Sequence, residues 1–171
     1  MRTEHFLCGW MAMVAIFISA SVGAAENLIA DPGFKKANFE PLAEDTTWLW
    51  YQIEAPSEAE IVEDASAVKM TGGKTFLHSS RFKVEPGKNY QTQLTAEGKG
   101  KASVEFLWWT EDGGMADPHR TIPIEPVEIK EGKQKLEGAD TAPEKAAEAY
   151  IRVVVEAGTV TVSEPTVTAA N

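Results

Sequence analysis

The sequence predicts an all-β domain, a sandwich or a barrel. Three observations predict it. Short runs with alternating or β-branched residues recur through the chain, three to nine residues long. Glycine and proline punctuate them, as in Gly72-Gly73, Pro86-Gly87 and Gly113-Gly114. Helix-friendly composition is confined to one short stretch around 141–149.

The chain opens with LCGWMAMVAIFISASVGAA at 7–25, an apolar stretch ending in small residues. It reads as a signal peptide over 1–25, with Gly23-Ala24-Ala25 as the cleavage site. An uncleaved membrane anchor is the alternative. Gly, Ala and Ser dilute the second half of the stretch and no basic stop-transfer segment follows, which favours cleavage. Cys8 precedes the apolar core, so it is not placed as a lipid-attachment cysteine. It is the one cysteine of the chain. Cleavage would remove it, and with it disulfides, thiol catalysis and cysteine-based zinc sites. The expected location is secreted, periplasmic or cell-surface, with no stable membrane span after cleavage.

The remaining 26–171 has no repeat, linker or low-complexity block and reads as a single β-sandwich domain. Trp48 to Glu54 alternates as a strand. Ala67 to Met70 is a short strand ending at the glycine pair. Phe82 to Val84 runs into Pro86-Gly87. Tyr90 to Ala96 stops at Gly98, and Ala102 to Thr110 stops at Glu111-Asp112-Gly113-Gly114. Thr141 to Ala149 holds a turn or short helix, with Pro143 allowed in a first turn. Ala149 to Glu156 stops at Gly158, and Thr159 to Ser163 stops before Pro165. A domain of this length buries roughly 70% of its unfolded surface, enough to stand without covalent staples.

Composition excludes several functions. The chain is 43% hydrophobic and carries 26 acidic against 16 basic residues, for a net charge of -10. It is too apolar for disorder. Its charge repels phosphate backbones, so nucleic acid is not an expected partner.

Candidate binding residues follow from strand alternation. In 48–54, Leu49, Tyr51 and Ile53 share one face, and Trp48, Trp50, Gln52 and Glu54 the other. Burying an unpaired carboxylate is costly, so the face with Glu54 is expected to meet water. In 102–110, Ala102, Val104, Phe106 and Trp108 form one set. Ser103, Glu105, Leu107 and Trp109 form the other, and Glu105 marks that set as outer. Indoles on an outer sheet face suit sugars, whose C–H faces stack on aromatic planes while their hydroxyls take polar neighbours. The competing reading makes these tryptophans core, since Trp is usually mostly buried.

Several motifs in order resemble one family. Asn27-Leu28-Ile29-Ala30-Asp31-Pro32-Gly33-Phe34 is similar to the opening strand of carbohydrate-binding modules with a galactose-binding-like jelly roll, the families numbered four, nine and twenty-two. Trp48 falls where that family carries a Trp after a loop. Phe82 to Tyr90 resembles its "V-x-P-G-K-x-Y" strand and turn. Ala142-Pro143 with Ala146 resembles its approach to the penultimate strand, and Gly158 to Val162 its last strand. The resemblance covers about 27–168. It implies a two-sheet antiparallel jelly-roll β-sandwich that often binds polysaccharide in a groove and in other members serves as a spacer or protein-contact module.

The family often binds a structural calcium through a carboxylate after the first-strand Phe and an Asp in the last strand. Here those positions hold Lys35 and Ser163-Glu164. A cation at Lys35 opposes Ca²⁺, so no metal is expected there, and a Lys35–Glu164 ion pair could replace it. Other chemistry finds no support. His78 and His119 lack acidic partners at triad or metal spacing. Ser79-Ser80 has no nucleophile elbow. Gly113-Gly114 opens no helix and lacks the lysine of a phosphate loop. Glu111, Asp112 and Asp117 read as a solvated acidic loop, not a glycosidase pair.

The sequence therefore predicts an exported, non-catalytic, cofactor-free module. It would stack polysaccharide or cell-surface glycan on Trp48, Trp50 and Trp109, with polar help from Gln52, Glu54, Arg81 and Glu105. The alternative is an exported structural or protein-interaction sandwich without glycan binding.

Overall fold

The computed structural model describes residues 25–38, 50–52, 58–62, 66–73, 75–116 and 125–170. Residues 1–24 lie outside them, and with them nearly all of the segment expected to be a signal peptide, as do Trp48, Glu54, Asp117 and His119. Among the described residues no helix forms, and none is long and apolar enough to cross a membrane.

Among the described residues ten strands run in chain order: β1 (Ala37–Asn38), β2 (Trp50–Gln52), β3 (Glu58–Val62), β4 (Ala67–Thr71), β5 (Thr75–Ser79), β6 (Phe82–Lys83), β7 (Asn89–Trp109), β8 (Val127–Ile129), β9 (Lys133–Thr141) and β10 (Glu148–Ala169). The pair β7–β10 is the spine. It is antiparallel from Trp109↔Glu148 to Tyr90↔Ala169. Other strands add to its two halves. β9 pairs with 89–97, and β4 then β3 continue from 159–163 of β10. At the other end β5 pairs with 152–155, and β2 then β1 continue from β5. Among the described strands only the last pair, β1 with β2, is parallel.

Alternation shows how the spine makes two layers. Tyr90, Thr92, Leu94 and Ala96 are buried in the first half of β7, and Ala102, Val104, Phe106 and Trp108 in the second. The same face of one strand is thus inward in both halves. Val68, Met70, Leu94 and Val162 of one half join Leu77, Val104, Phe106 and Ile151 of the other in a single core cluster. The strand pair folds over on itself, and the core fills the fold.

The corner is built from glycine. A Cβ on Gly98 would lie 2.4 Å from Thr159 O, one on Gly100 2.2 Å from Ala157 O, and one on Gly158 2.2 Å from Lys99 O. Gly98 and Gly158 also take φ of 129° and 84°. Only a residue without Cβ lets these backbones approach at such angles. A register shift at Val155/Ala157 supplies the bend, and a second lies at Ser163/Thr166. The sequence reading took Gly98 and Gly158 as strand ends. They are bends inside continuous strands of 21 and 22 residues. Where a turn or short helix was expected over 141–149, a turn links β9 to β10 across 142–147, closed by Ala146 N–H to Pro143 O at 3.0 Å.

Asn27 fastens the first segment to the second bulge. Its Nδ2 donates to Pro165 O at 3.1 Å, and its Oδ1 accepts from Ile29 N and Val167 N at 3.1 and 2.9 Å. The resemblance to the family's opening motif thus has a physical basis here: one amide side chain satisfies backbone groups on both segments.

Candidate functional site

The outer face of the 102–109 / 148–155 half gathers the described candidate residues. Trp109, Leu107, Glu105 and Ser103 alternate outward from β7 opposite the buried Ala102–Trp108 set. The register places Glu148, Tyr150, Arg152 and Val154 of β10 beside them. His78 and Phe76 of β5 follow beside Arg152 and Val154. The expected face assignment for 102–109 matches this arrangement, with Ser103 buried at 6% exposure as its one departure.

Aromatic rings run across this face. Trp109 lies 6.0 Å from Tyr150, ring centre to centre, at 31°. Tyr150 stacks on His78 at 5.0 Å and 27°, and His78 meets Phe76 edge-on at 6.5 Å. Tyr150, His78 and Phe76 are buried, and Trp109 is half-buried. Trp109 is therefore the least buried end of the row, although its indole Nε1 is itself buried.

Two ion pairs frame the rings, and they differ in strength. Arg152 donates from both Nε and Nη2 to one oxygen of Glu105, and its guanidinium lies 5.0 Å from the Phe76 ring centre. A forked, partly buried pair of this kind holds both side chains in place. Arg81 enters from the loop after β5. Its Nη1 reaches Glu148 Oε2 at only 3.4 Å, both side chains are about 40% exposed, and its guanidinium sits 4.1 Å above the Trp109 ring. An exposed cation–π contact contributes about 0.5–1 kcal/mol and an exposed ion pair no more, so Arg81 is easily displaced.

Burial and charge set the titration of the row. Desolvation, with the Arg152 cation second, lowers the His78 pKa to about 4, so the ring is neutral near pH 7. Burial pushes the Tyr150 hydroxyl upward. No nucleophile or general acid–base pair emerges from these groups. The imidazole and the phenol are buried, so the two ion pairs and the half-buried indole are the groups of this row that a ligand can meet.

Arg81, Glu105 and Trp109 thus come together on one face. The β2 segment adjoins it through β5, with Trp50 paired to Ser79, Tyr51 to His78 and Gln52 to Leu77. Sequence reasoning missed Tyr150, Arg152 and His78. The run Ala149 to Glu156 looks like a strand buried on both faces, and β5 was not read as a strand.

Elsewhere, Lys35 and Glu164 line one depression of about 640 Å³ with Asp31 and Ser66. The ion pair that could have replaced a metal between them does not form. Glu164, at φ 54°, accepts from Thr95 Oγ1 at 2.9 Å instead. In the 110–114 turn the Thr110 hydroxyl holds the Asp112 carboxyl below its ordinary range. Among the described residues, no three His, Cys, Asp or Glu side chains come together as a metal site.

No protein-family model matches the chain, and no curated protein is significantly similar. Its likeness is to solved structures. The enzymatically active domain of tailspike protein 4 of bacteriophage CBA120 superposes at a TM-score of 0.56 and 14% identity, over 84% of this chain and 21% of that one. The CBM22-1–GH10 modules of Clostridium thermocellum xylanase 10B, solved with xylohexaose, give 0.56 at 10% identity, over 72% and 26%. The CBM22-1 xylan-binding domain of Paenibacillus barcinonensis Xyn10C gives 0.54 at 8% identity, over 85% and 96%. The chain spans about a fifth to a quarter of the first two and nearly all of the third. At such identities the likeness shows the fold: the two-sheet antiparallel jelly-roll β-sandwich of carbohydrate-binding modules.

Proposed function

We propose that this jelly roll is an exported, non-catalytic carbohydrate-binding module whose glycan stacks on Trp109. The observation that carries the reading is the convergence of a half-buried indole, a loosely held guanidinium and a fixed Arg–Glu fork on one outer sheet face. A pyranose ring presents a C–H face to the indole and hydroxyls to Arg81, Glu148 and Glu105. Each of these supplies donors or acceptors in a planar geometry. The segment from Trp48 to Glu54 is kept in the proposal as the flank of the site beyond β5, through Trp48, Trp50, Gln52 and Glu54. Unchanged affinity in Trp50→Ala removes Trp50 from it.

Three features support glycan binding over a protein-contact role. The face is mixed, with two ion pairs among the rings, where a protein-docking face would be apolar at its centre. The fold is that of xylan-binding and other carbohydrate-binding modules. The net charge of -10 turns away anionic surfaces. Stacking without covalent chemistry gives micromolar to millimolar affinity, roughly -8 to -4 kcal/mol.

Affinity electrophoresis against soluble xylan, β-glucan, galactomannan and galactan tests the reading. Retardation by at least one polymer is expected, at unchanged mobility in a polymer-free gel. No retardation by any of them, together with a stable oligomer in light scattering, would favour the exported protein-interaction module.

A further inference from the structure

We infer that the glycan site does not end at Trp109 but crosses β10 and β6 into a second subsite, so that the ligand is a neutral oligosaccharide of at least two sugar residues. The inference rests on the glycan reading above and extends it. Trp109, Glu148 and Lys83 form one cross-strand row, with Glu148 paired to Trp109 on one side and to Lys83 on the other. Directly paired residues of an antiparallel ladder share a face. Two interstrand spacings put the row at about 10 Å from end to end, wide enough for two linked pyranose rings.

The row leads into a depression of about 640 Å³ bounded by Lys83, Pro86, Glu111, Glu144, Lys145 and Glu148. Its size falls in the range of small-ligand pockets, roughly 300–1,000 Å³. Glu148 belongs to both places: it holds Arg81 over the indole and lines the depression. The lining sets two ammonium donors among three carboxylate acceptors. Sugar hydroxyls, each both donor and acceptor, suit such a mixture, and a polyanion does not. The walls are well held. Val84 N–H donates to Ala147 O at 3.0 Å, and Ala147 N–H donates to Trp109 O at 2.8 Å, so the turn carrying Lys145 is tied to both β7 and the loop after β6.

The test is a backbone-amide NMR titration of the full folded domain with xylohexaose, cellohexaose and mannohexaose, repeated with the matching disaccharides. For at least one sugar, shift changes are expected at 84–87 and 143–147 as well as at 107–109. That hexasaccharide is expected to bind at least tenfold tighter than its disaccharide, and Lys83→Glu to shrink this ratio at least threefold. Shift changes confined to 103–109 and 150–154, with 84–87 and 143–147 unmoved, would overturn the second subsite and leave the Trp109 site standing. An unchanged ratio in Lys83→Glu would do the same. No change anywhere with any of the sugars would overturn both.

Discussion

Replacing Gly158 by alanine should damage the fold where it turns over on itself. Two costs add there. Gly158 has φ 84°, and a side chain in that region costs roughly 1–2 kcal/mol. The new Cβ would also stand 2.2 Å from Lys99 O and 2.8 Å from Gly100 Cα. Those are backbone atoms at the centre of the β7–β10 ladder and cannot rotate away, so they must move. Displacements of that kind cost roughly 1–3 kcal/mol. The sum is about 3 kcal/mol. Gly113→Ala is the internal control. Its φ is 83°, but nothing lies within 4 Å of the added Cβ. It should cost only the conformational part, about 1 kcal/mol. Urea unfolding of both variants gives the difference directly, expected at about 2 kcal/mol. In thermal melts a domain of this size loses roughly 2–4 °C per kcal/mol. Equal losses in the two variants would refute the close backbone approach at the corner and, with it, the folded-over spine.

Other expectations follow from the same contacts. The unfolded chain protonates His78 as pH falls below about 6.5, whereas the folded one does so only near 4. Stability is therefore complete above 6.5, falls by about 3 kcal/mol between 6.5 and 4, and levels off below that. Denaturant midpoints across this window should show the slope, and His78→Phe should flatten it. Asn27→Ala loses three hydrogen bonds at the second bulge and should lower unfolding free energy by about 2 kcal/mol. Hydrogen exchange at Val167 should speed up in the same variant. Glu105→Ala strands the Arg152 guanidinium on a partly buried face. A fully buried pair loses roughly 3–5 kcal/mol when broken, so about 2 kcal/mol is expected here, against less than 0.5 for Lys69→Ala, whose partner Glu60 is well exposed.

Much of this was legible in the sequence, and the parts that were not share a cause. The fold class follows from runs such as 102–109, where burial of every second residue leaves a clear period of two. The same period put Glu105 and Trp109 together on the outer face. It could not show that Gly98 and Gly158 are bends, because a glycine between two alternating runs looks the same at a turn and at a corner. β9 was invisible for another reason. It lies at the sheet edge, and among its nine residues Leu136 alone is a buried hydrophobe, so Lys133 to Thr141 reads as a polar loop. β5 failed in the opposite sense. All five of its residues are buried, which erases alternation altogether. That loss hid His78 and the strand linking β2 to the site.

The central claim is that a sugar ring takes the place of the Arg81 guanidinium on the Trp109 indole. Isothermal titration of the best-retained polysaccharide into wild type and Trp109→Ala tests it most directly. Nucleobase stacking on an aromatic ring, worth about 1–3 kcal/mol, sets the scale, so the account predicts a Kd at least tenfold higher in a variant that still unfolds cooperatively. An unchanged Kd in a folded Trp109→Ala protein would contradict it.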